Sequence, residues 1–160
     1  MLAKSHDDIR RIYDSVDTVK RLSDRIIGIG PINLIGLDGI LAWIPVPGLD
    51  TVYSVLAGAF ILIQGVRARC DFVTLVAAAL VLAFDAGLSI GDIVVPILGS
   101  AADTLFQGNL YAAHMIQKDM DKTLYVEGGA AEAHRSGEHA ANVTEMRETR
   151  GKKRIVYLGN

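Results

Sequence analysis

The apolar residues near the start of the chain form a stripe, whereas those further along form nearly continuous runs. Residues 5–26 predict an amphipathic helix, because their apolar positions recur at steps of three and four and so lie along one face. Ser5 and Asp8 have the spacing of a capping box at its start. The apolar positions of this stripe are Ile9, Ile12, Val16, Val19, Leu22 and Ile26.

Four apolar helices are predicted between residues 32 and 117. Gly28, Gly30 and Pro31 interrupt the chain before the first of them. A short charged segment, residues 67–71, separates the second from the third and is called the link below. The four helices therefore form two hairpins. Their predicted bounds are Ile32–Ile44, Leu49–Val66, Phe72–Ile90 and Ser100–Gln117.

The two hairpins repeat one pattern, in which an Asp-containing apolar stretch runs into a proline–glycine break. The first copy spans residues 37–50 and the second spans residues 84–103. Proline ends a helix and glycine lets the chain turn, so each break predicts a hairpin turn. The residues that we expect to form these turns and the adjoining helix caps are Pro45, Pro47, Gly48, Asp50, Pro96, Gly99 and Asp103.

The positions of the charges favour a membrane setting. All 16 basic residues lie in residues 1–25, at positions 67 and 69, or in residues 118–160. If both hairpins enter a bilayer from one side, these cations share that side, as the positive-inside tendency requires. A spanning helix needs about 20 residues. The second and third predicted helices reach that length approximately, whereas the first is short and fits a re-entrant or interfacial segment.

Aspartates inside the apolar region are the main argument against lipid. Each would cost about 2.5–3.5 kcal/mol at the centre of a spanning helix. Asp50 and Asp103 follow turns, where a carboxylate stabilises the start of a helix. Asp38 and Asp85 occupy equivalent positions in the two copies of the repeat. We expect them to form an interior polar pair that shares a proton or is bridged by water.

The repeated turns also resemble a known family. Residues 22–50 and 95–109 carry its pattern of a Leu-Asp pair, a proline–glycine turn and a following Asp. This pattern is similar to a widespread bacterial family catalogued as domain of unknown function 4112, over roughly residues 20–120. Ser100 departs from that pattern, and the first turn has an extra residue. The resemblance implies a membrane-associated, mostly helical domain and no chemistry.

Several classes of function find no support in the sequence. A net charge of −2 and the absence of a nucleic-acid-binding signature exclude a general affinity for nucleic acid. No catalytic motif is present, so we expect neither an enzyme nor a cofactor. Cys70 is the one cysteine and is predicted to be a small apolar side chain. His134 and His139 are five residues apart, which does not align two metal ligands on a helix.

The sequence therefore predicts an all-α chain in three parts. These are an amphipathic helix in residues 1–25, a membrane-associated domain of helical hairpins in residues 26–120, and a polar, flexible and disordered tail with a basic end in residues 121–160. We expect a lipid bilayer as one partner, and a protein partner or further copies of the chain within the membrane. The expected location is the bacterial inner membrane with cytoplasmic termini.

Three hypotheses on function remain open at this point. The first is a non-enzymatic membrane-embedded scaffold or accessory subunit of an inner-membrane protein complex. The second is a small transport or proton-conducting element that uses Asp38, Asp85 and Asp92. The third is a soluble helical domain that binds a lipid-like ligand or oligomerises through its apolar faces.

Overall fold

Six helices and two short strands make up the part of the chain that the structure describes. This structure is a computed structural model, and it describes residues 1–24, 49–92 and 108–159. The fold is mostly helical, but the prediction of an all-α chain is wrong because a small sheet is present. In chain order the elements are α1 (His6–Asp24), α2 (Leu49–Arg67), α3 (Phe72–Asp92), α4 (Gly108–Asp121), β1 (Thr123–Val126), α5 (Ala130–Ser136), α6 (Glu138–Glu148) and β2 (Arg154–Tyr157).

Helix α4 lies at the centre and packs against α1, α2 and α3. Ala112, Ala113 and Ile116 on α4 are fully buried. Helix α2 approaches α4 closely at Gly65, where a Cβ atom would come within 2.6 Å of the Ile116 side chain. Small residues therefore set the distance between these helices.

Helix α1 is amphipathic, as its pattern predicts. Ile12 and Val16 are buried against the core, and the charged face is turned outward. The capping at its start is confirmed, because the Asp8 backbone N–H donates to Ser5 Oγ at 3.3 Å. The Asp8 carboxylate in turn accepts from the Lys4 backbone N–H at 3.0 Å. Side chains at both ends of the first turn thus stabilise the helix start.

The tail is ordered, which corrects the prediction of disorder after residue 121. Strands β1 and β2 pair in parallel, with Thr123 opposite Arg154 and Val126 opposite Tyr157. The intervening α5 and α6 form the crossover that a parallel pair needs. Residues 127–154 contain few large apolar side chains, so composition indicated disorder. The order comes from the flanking strands, whose Tyr125 and Tyr157 are buried.

Hydrogen bonds attach this sheet to the link, and one ion pair attaches it to α4. The Arg154 guanidinium contacts the Asp119 carboxylate at 3.0 Å and donates to the Arg69 carbonyl oxygen at 2.9 Å. Arg69 donates in the opposite direction, to the Tyr157 carbonyl oxygen at 2.6 Å. The Tyr125 hydroxyl donates to the Ala68 carbonyl oxygen at 3.0 Å. Side chains of both strands therefore donate hydrogen bonds to the backbone of the link.

The packing around α4 predicts a large difference between two isoleucines. Ile116→Ala removes a fully buried side chain and should lower the free energy of unfolding by about 2–5 kcal/mol. Ile63→Ala changes a side chain that is 57% exposed and should alter it by about 0.5 kcal/mol or less. Denaturant unfolding of both variants in one detergent-containing buffer measures this difference. Equal losses would contradict the position of α4 at the centre of the fold.

Candidate functional site: an exposed apolar face on α2 and α3

Large apolar side chains are exposed along two neighbouring helices. They have relative exposures between 38% and 76%. Soluble monomers seldom expose contiguous apolar patches of more than a few hundred Å², and larger ones mark sites of contact with a partner or a membrane. We call these residues the apolar face. They are Val55, Leu56, Phe60, Ile63 and Val66 on α2, and Phe72, Val73, Val76, Leu80 and Phe84 on α3.

The buried positions of these helices carry mostly small residues. On α2, Ala57, Gly58 and Gly65 are buried together with Ile61, and on α3 the one buried apolar residue of the stretch 72–85 is Ala78. Most of the large apolar side chains lie outside instead, whereas in water-soluble helices they usually form the core. Small residues between helices and large apolar ones outside are typical of helices that associate within lipid.

No charge interrupts the apolar face. Residues 55–66 and 72–84 contain no Asp, Glu, Lys or Arg. Helix α4 differs, because its exposed positions are Tyr111, His114, Lys118 and Asp121. The outer surface thus changes from apolar on two helices to polar on the third.

The apolar face is about as long as two-thirds of a bilayer's hydrocarbon core. Its residues span 55–66 on α2 and 72–84 on α3, which corresponds to about 18–20 Å along each helix. The hydrocarbon core is about 30 Å thick. None of the described helices is sufficiently long and apolar to span a membrane. The predicted spanning of α2 and α3 is therefore not confirmed.

Asp85 contacts the start of α4. Its Oδ1 atom accepts a hydrogen bond from the Gly108 backbone N–H at 3.1 Å, and the side chain is buried. A Cβ atom on Gly108 would lie 2.5 Å from the Asp85 Cβ, so only glycine permits this approach. This charge-assisted hydrogen bond joins α3 to α4 within the buried part of the fold. Asp38, the predicted partner of Asp85, lies outside the described residues.

The other residues predicted from the repeat are only partly covered. Asp50 lies on α2, which is described from Leu49 to Arg67. The role of Asp50 as a cap stays a prediction. The remaining turn and cap residues lie outside the described ranges; they are Pro45, Pro47, Gly48, Pro96, Gly99 and Asp103.

Cys70 is a buried thiol within the link region. Its Sγ atom donates to the Ile116 carbonyl oxygen at 3.9 Å. Burial, together with the nearby Asp119 carboxylate, raises the pKa of this thiol to about 12. Burial also raises the pKa of the Tyr125 hydroxyl, which bonds to the Ala68 carbonyl. A thiol with a raised pKa is a poor nucleophile, so the contacts of Cys70 agree with a small apolar side chain.

His134 and His139 meet in space despite their sequence spacing. Gly137 adopts a left-handed conformation between α5 and α6, and this break stacks the two imidazole rings with centroids 3.9 Å apart. His139 Nδ1 also lies 2.9 Å from the Tyr157 hydroxyl. Within residues 1–24, 49–92 and 108–159, no group of three or more His, Cys, Asp or Glu side chains could hold a metal ion. The stack therefore joins two helices to β2.

Comparison with protein families gives one match. The family described as Domain of unknown function (DUF4112) matches residues 12–120. This range includes the whole apolar face, Asp85 and Gly108, and it ends before β1. No curated protein and no solved structure matches the chain.

The contact between Asp85 and Gly108 predicts a graded response to substitution. Asp85→Ala removes the hydrogen-bond acceptor and should lower the free energy of unfolding by about 1–2 kcal/mol. Asp85→Asn keeps an oxygen at the same place and should lose less than half as much. Thermal melts of the two variants in detergent test this order. A loss for Asn as large as that for Ala would show that the charge of Asp85 matters more than its hydrogen bond.

The burial of Cys70 predicts slow alkylation. Its pKa rises from 9.0 to about 12, so at pH 8 the reactive thiolate is about a thousandfold rarer in the folded chain than in the unfolded one. The rate of reaction with iodoacetamide, followed by mass spectrometry with and without denaturant, should differ by a similar factor. Comparable rates in the two states would mean that the thiol is accessible and ionises normally.

Proposed function

The chain belongs to the DUF4112 family, and from that premise we propose a non-enzymatic membrane-embedded scaffold or accessory subunit of a protein complex in the bacterial inner membrane. The observation that carries this proposal is the apolar face. Ten large apolar side chains of α2 and α3 are exposed, five on each helix. Burying one such side chain stabilises a protein by about 1.5–3 kcal/mol. A bilayer would cover many of them at once.

The positions of small and large side chains on α2 and α3 favour lipid rather than water as the surroundings of these two helices. In water, a helix pair gains most by turning its large apolar side chains inward. Here Gly58, Gly65 and Ala78 occupy the interior, while Leu56, Leu80 and other large residues point outward. In hydrocarbon the exposed large side chains carry no hydrophobic free-energy penalty, because they contact lipid tails.

The polar elements support one orientation. The sheet, α5 and α6 are attached at the link end of the apolar face, through Arg69 and Arg154. The cations of the described ranges are concentrated at that end and on α1. We place this end in the cytoplasm, in accord with the positive-inside tendency. Both termini then lie on the cytoplasmic side.

Several polar side chains within the described fold have structural partners, which supports a scaffold. Asp85 binds the amide at the start of α4, and Cys70 donates to a backbone carbonyl. Arg154 and Asp119 pair with each other. The role that we propose for the apolar face within the membrane is to present α2 and α3 to a protein partner or to further copies of the chain.

Charges placed on the apolar face should release the protein from membranes. Leu56→Glu/Leu80→Glu introduces two carboxylates at exposed apolar positions, and each is costly within hydrocarbon. Ala131→Glu/Thr144→Glu is the matched control, since both residues are exposed on α5 and α6, outside that face. After carbonate extraction, wild type and control should remain in the membrane pellet, and the Leu variant should move to the supernatant.

Wild-type protein in the supernatant, monodisperse without detergent, would overturn the membrane proposal. Retention of the Leu variant in the pellet would show that the apolar face is not what holds the protein in the membrane. The pelleted Leu variant is then treated with detergent. Protein that dissolves was held in the membrane, whereas precipitated protein stays insoluble.

A further inference from the structure

Three lysines lie together at the link end of the bundle. Lys118 lies in the last turn of α4 and Lys122 follows its last residue. The Lys122 backbone N–H donates to the Lys118 carbonyl oxygen at 3.2 Å, so the helical turn continues to Lys122 and the two share a face. The Lys153 backbone N–H donates to the Lys122 carbonyl oxygen at 2.7 Å, which brings the start of β2 beside them. Lys118 and Lys153 are exposed and Lys122 is half-buried. We call these three residues the lysine collar.

The ammonium groups of the collar have no carboxylate partner within the described ranges. The ion pairs found there join Arg21 to Asp17 and Arg154 to Asp119. Asp119 is the nearest acid in sequence to Lys118, and it also accepts from the Asp71 backbone N–H at 2.9 Å. Its charge is therefore balanced within the fold. Asp121 is exposed beside Lys122 but forms no ion pair with the collar. With Asp121 counted, three lysines and one carboxylate leave a net charge of +2 for an external anion.

The collar lies where the apolar face ends. Asp71 joins Asp119 to the link, so the last turn of α4 is level with the neighbouring Val66 and Phe72. Along α4 the exposed side chains change from Tyr111 to His114 to Lys118 as the helix approaches the link, and Asp121 follows at its last residue. This change takes about 10 Å. An aromatic residue followed by a cation is the order found where a helix leaves hydrocarbon for the headgroup region.

We propose that the lysine collar binds the headgroup phosphates of anionic phospholipids and thereby fixes the depth at which α2 and α3 sit. The inference rests on the proposed function, because the apolar face supplies the contact with lipid tails. Juxtamembrane cations gain free energy from anionic lipid and lose that gain within a Debye length of the surface. The collar is adjacent to the apolar face, and therefore lies within this range.

Vesicle flotation of the full chain tests the proposal. The protein, diluted out of detergent, is mixed with vesicles of phosphatidylcholine alone or with phosphatidylglycerol added. Lys118→Gln/Lys122→Gln/Lys153→Gln is compared with Arg135→Gln/Arg147→Gln/Arg150→Gln, which removes the same charge from exposed positions on or beside α5 and α6. We expect the Lys variant to partition at least about tenfold more weakly onto the anionic vesicles, and the Arg control to change by less than about threefold. Circular dichroism confirms that both variants are folded.

The possible results distinguish the role of the lysine collar from the proposal that the apolar face lies in the membrane. Equal binding of wild type to both vesicle types, or equal losses in the Lys and Arg variants, would overturn the role of the collar and leave the apolar face intact. Absence of flotation with either vesicle would overturn the membrane proposal and the collar with it. Inorganic phosphate, added at constant ionic strength, should not displace the protein. Displacement would assign the lysines to free phosphate instead.

Discussion

Close contact between helices at glycine positions is the constraint on which this structure depends. A Cβ atom at Gly58 would lie 3.0 Å from Leu82, and one at Gly65 would lie 2.6 Å from Ile116. At Gly108 it would meet the Asp85 side chain. The space between α2, α3 and α4 therefore accepts few large side chains, Ile61, Leu82 and Ile116 among them. Ten other large apolar residues of α2 and α3 are left on the outside and form the apolar face.

Much of the helical layout could be predicted from the hydrophobic pattern. The stripe of α1 and the start of α3 at Phe72 agree with it, and α2, Leu49–Arg67, covers the predicted helix Leu49–Val66. The predicted start of the fourth helix at Ser100 lies outside the described residues, and its end differs: Gln117 was predicted, and α4 ends at Asp121. Periodicity locates an element well but leaves its ends uncertain by a few residues.

Only part of the candidate site could be predicted from the sequence. The absence of charge within residues 49–66 and 72–90, apart from Asp50 and Asp85, indicated an apolar surface. Which side chains point outward could not be read from the sequence, since both faces of α3 are apolar. The roles of Arg69 and Arg154 were missed because their partners are backbone carbonyls far along the chain. Contacts of that kind leave no local pattern.

The parallel pairing of β1 and β2 has a consequence for how the chain is made. Residues that pair at the start of the sheet, such as Thr123 and Arg154, are 31 positions apart. During synthesis α2, α3 and α4 therefore leave the ribosome well before the sheet can close over the link. Domains begin to fold from the N-terminal side as they emerge. The apolar helices would thus emerge and pack first. The sheet with α5 and α6 would be completed afterwards, on the side where the ribosome is.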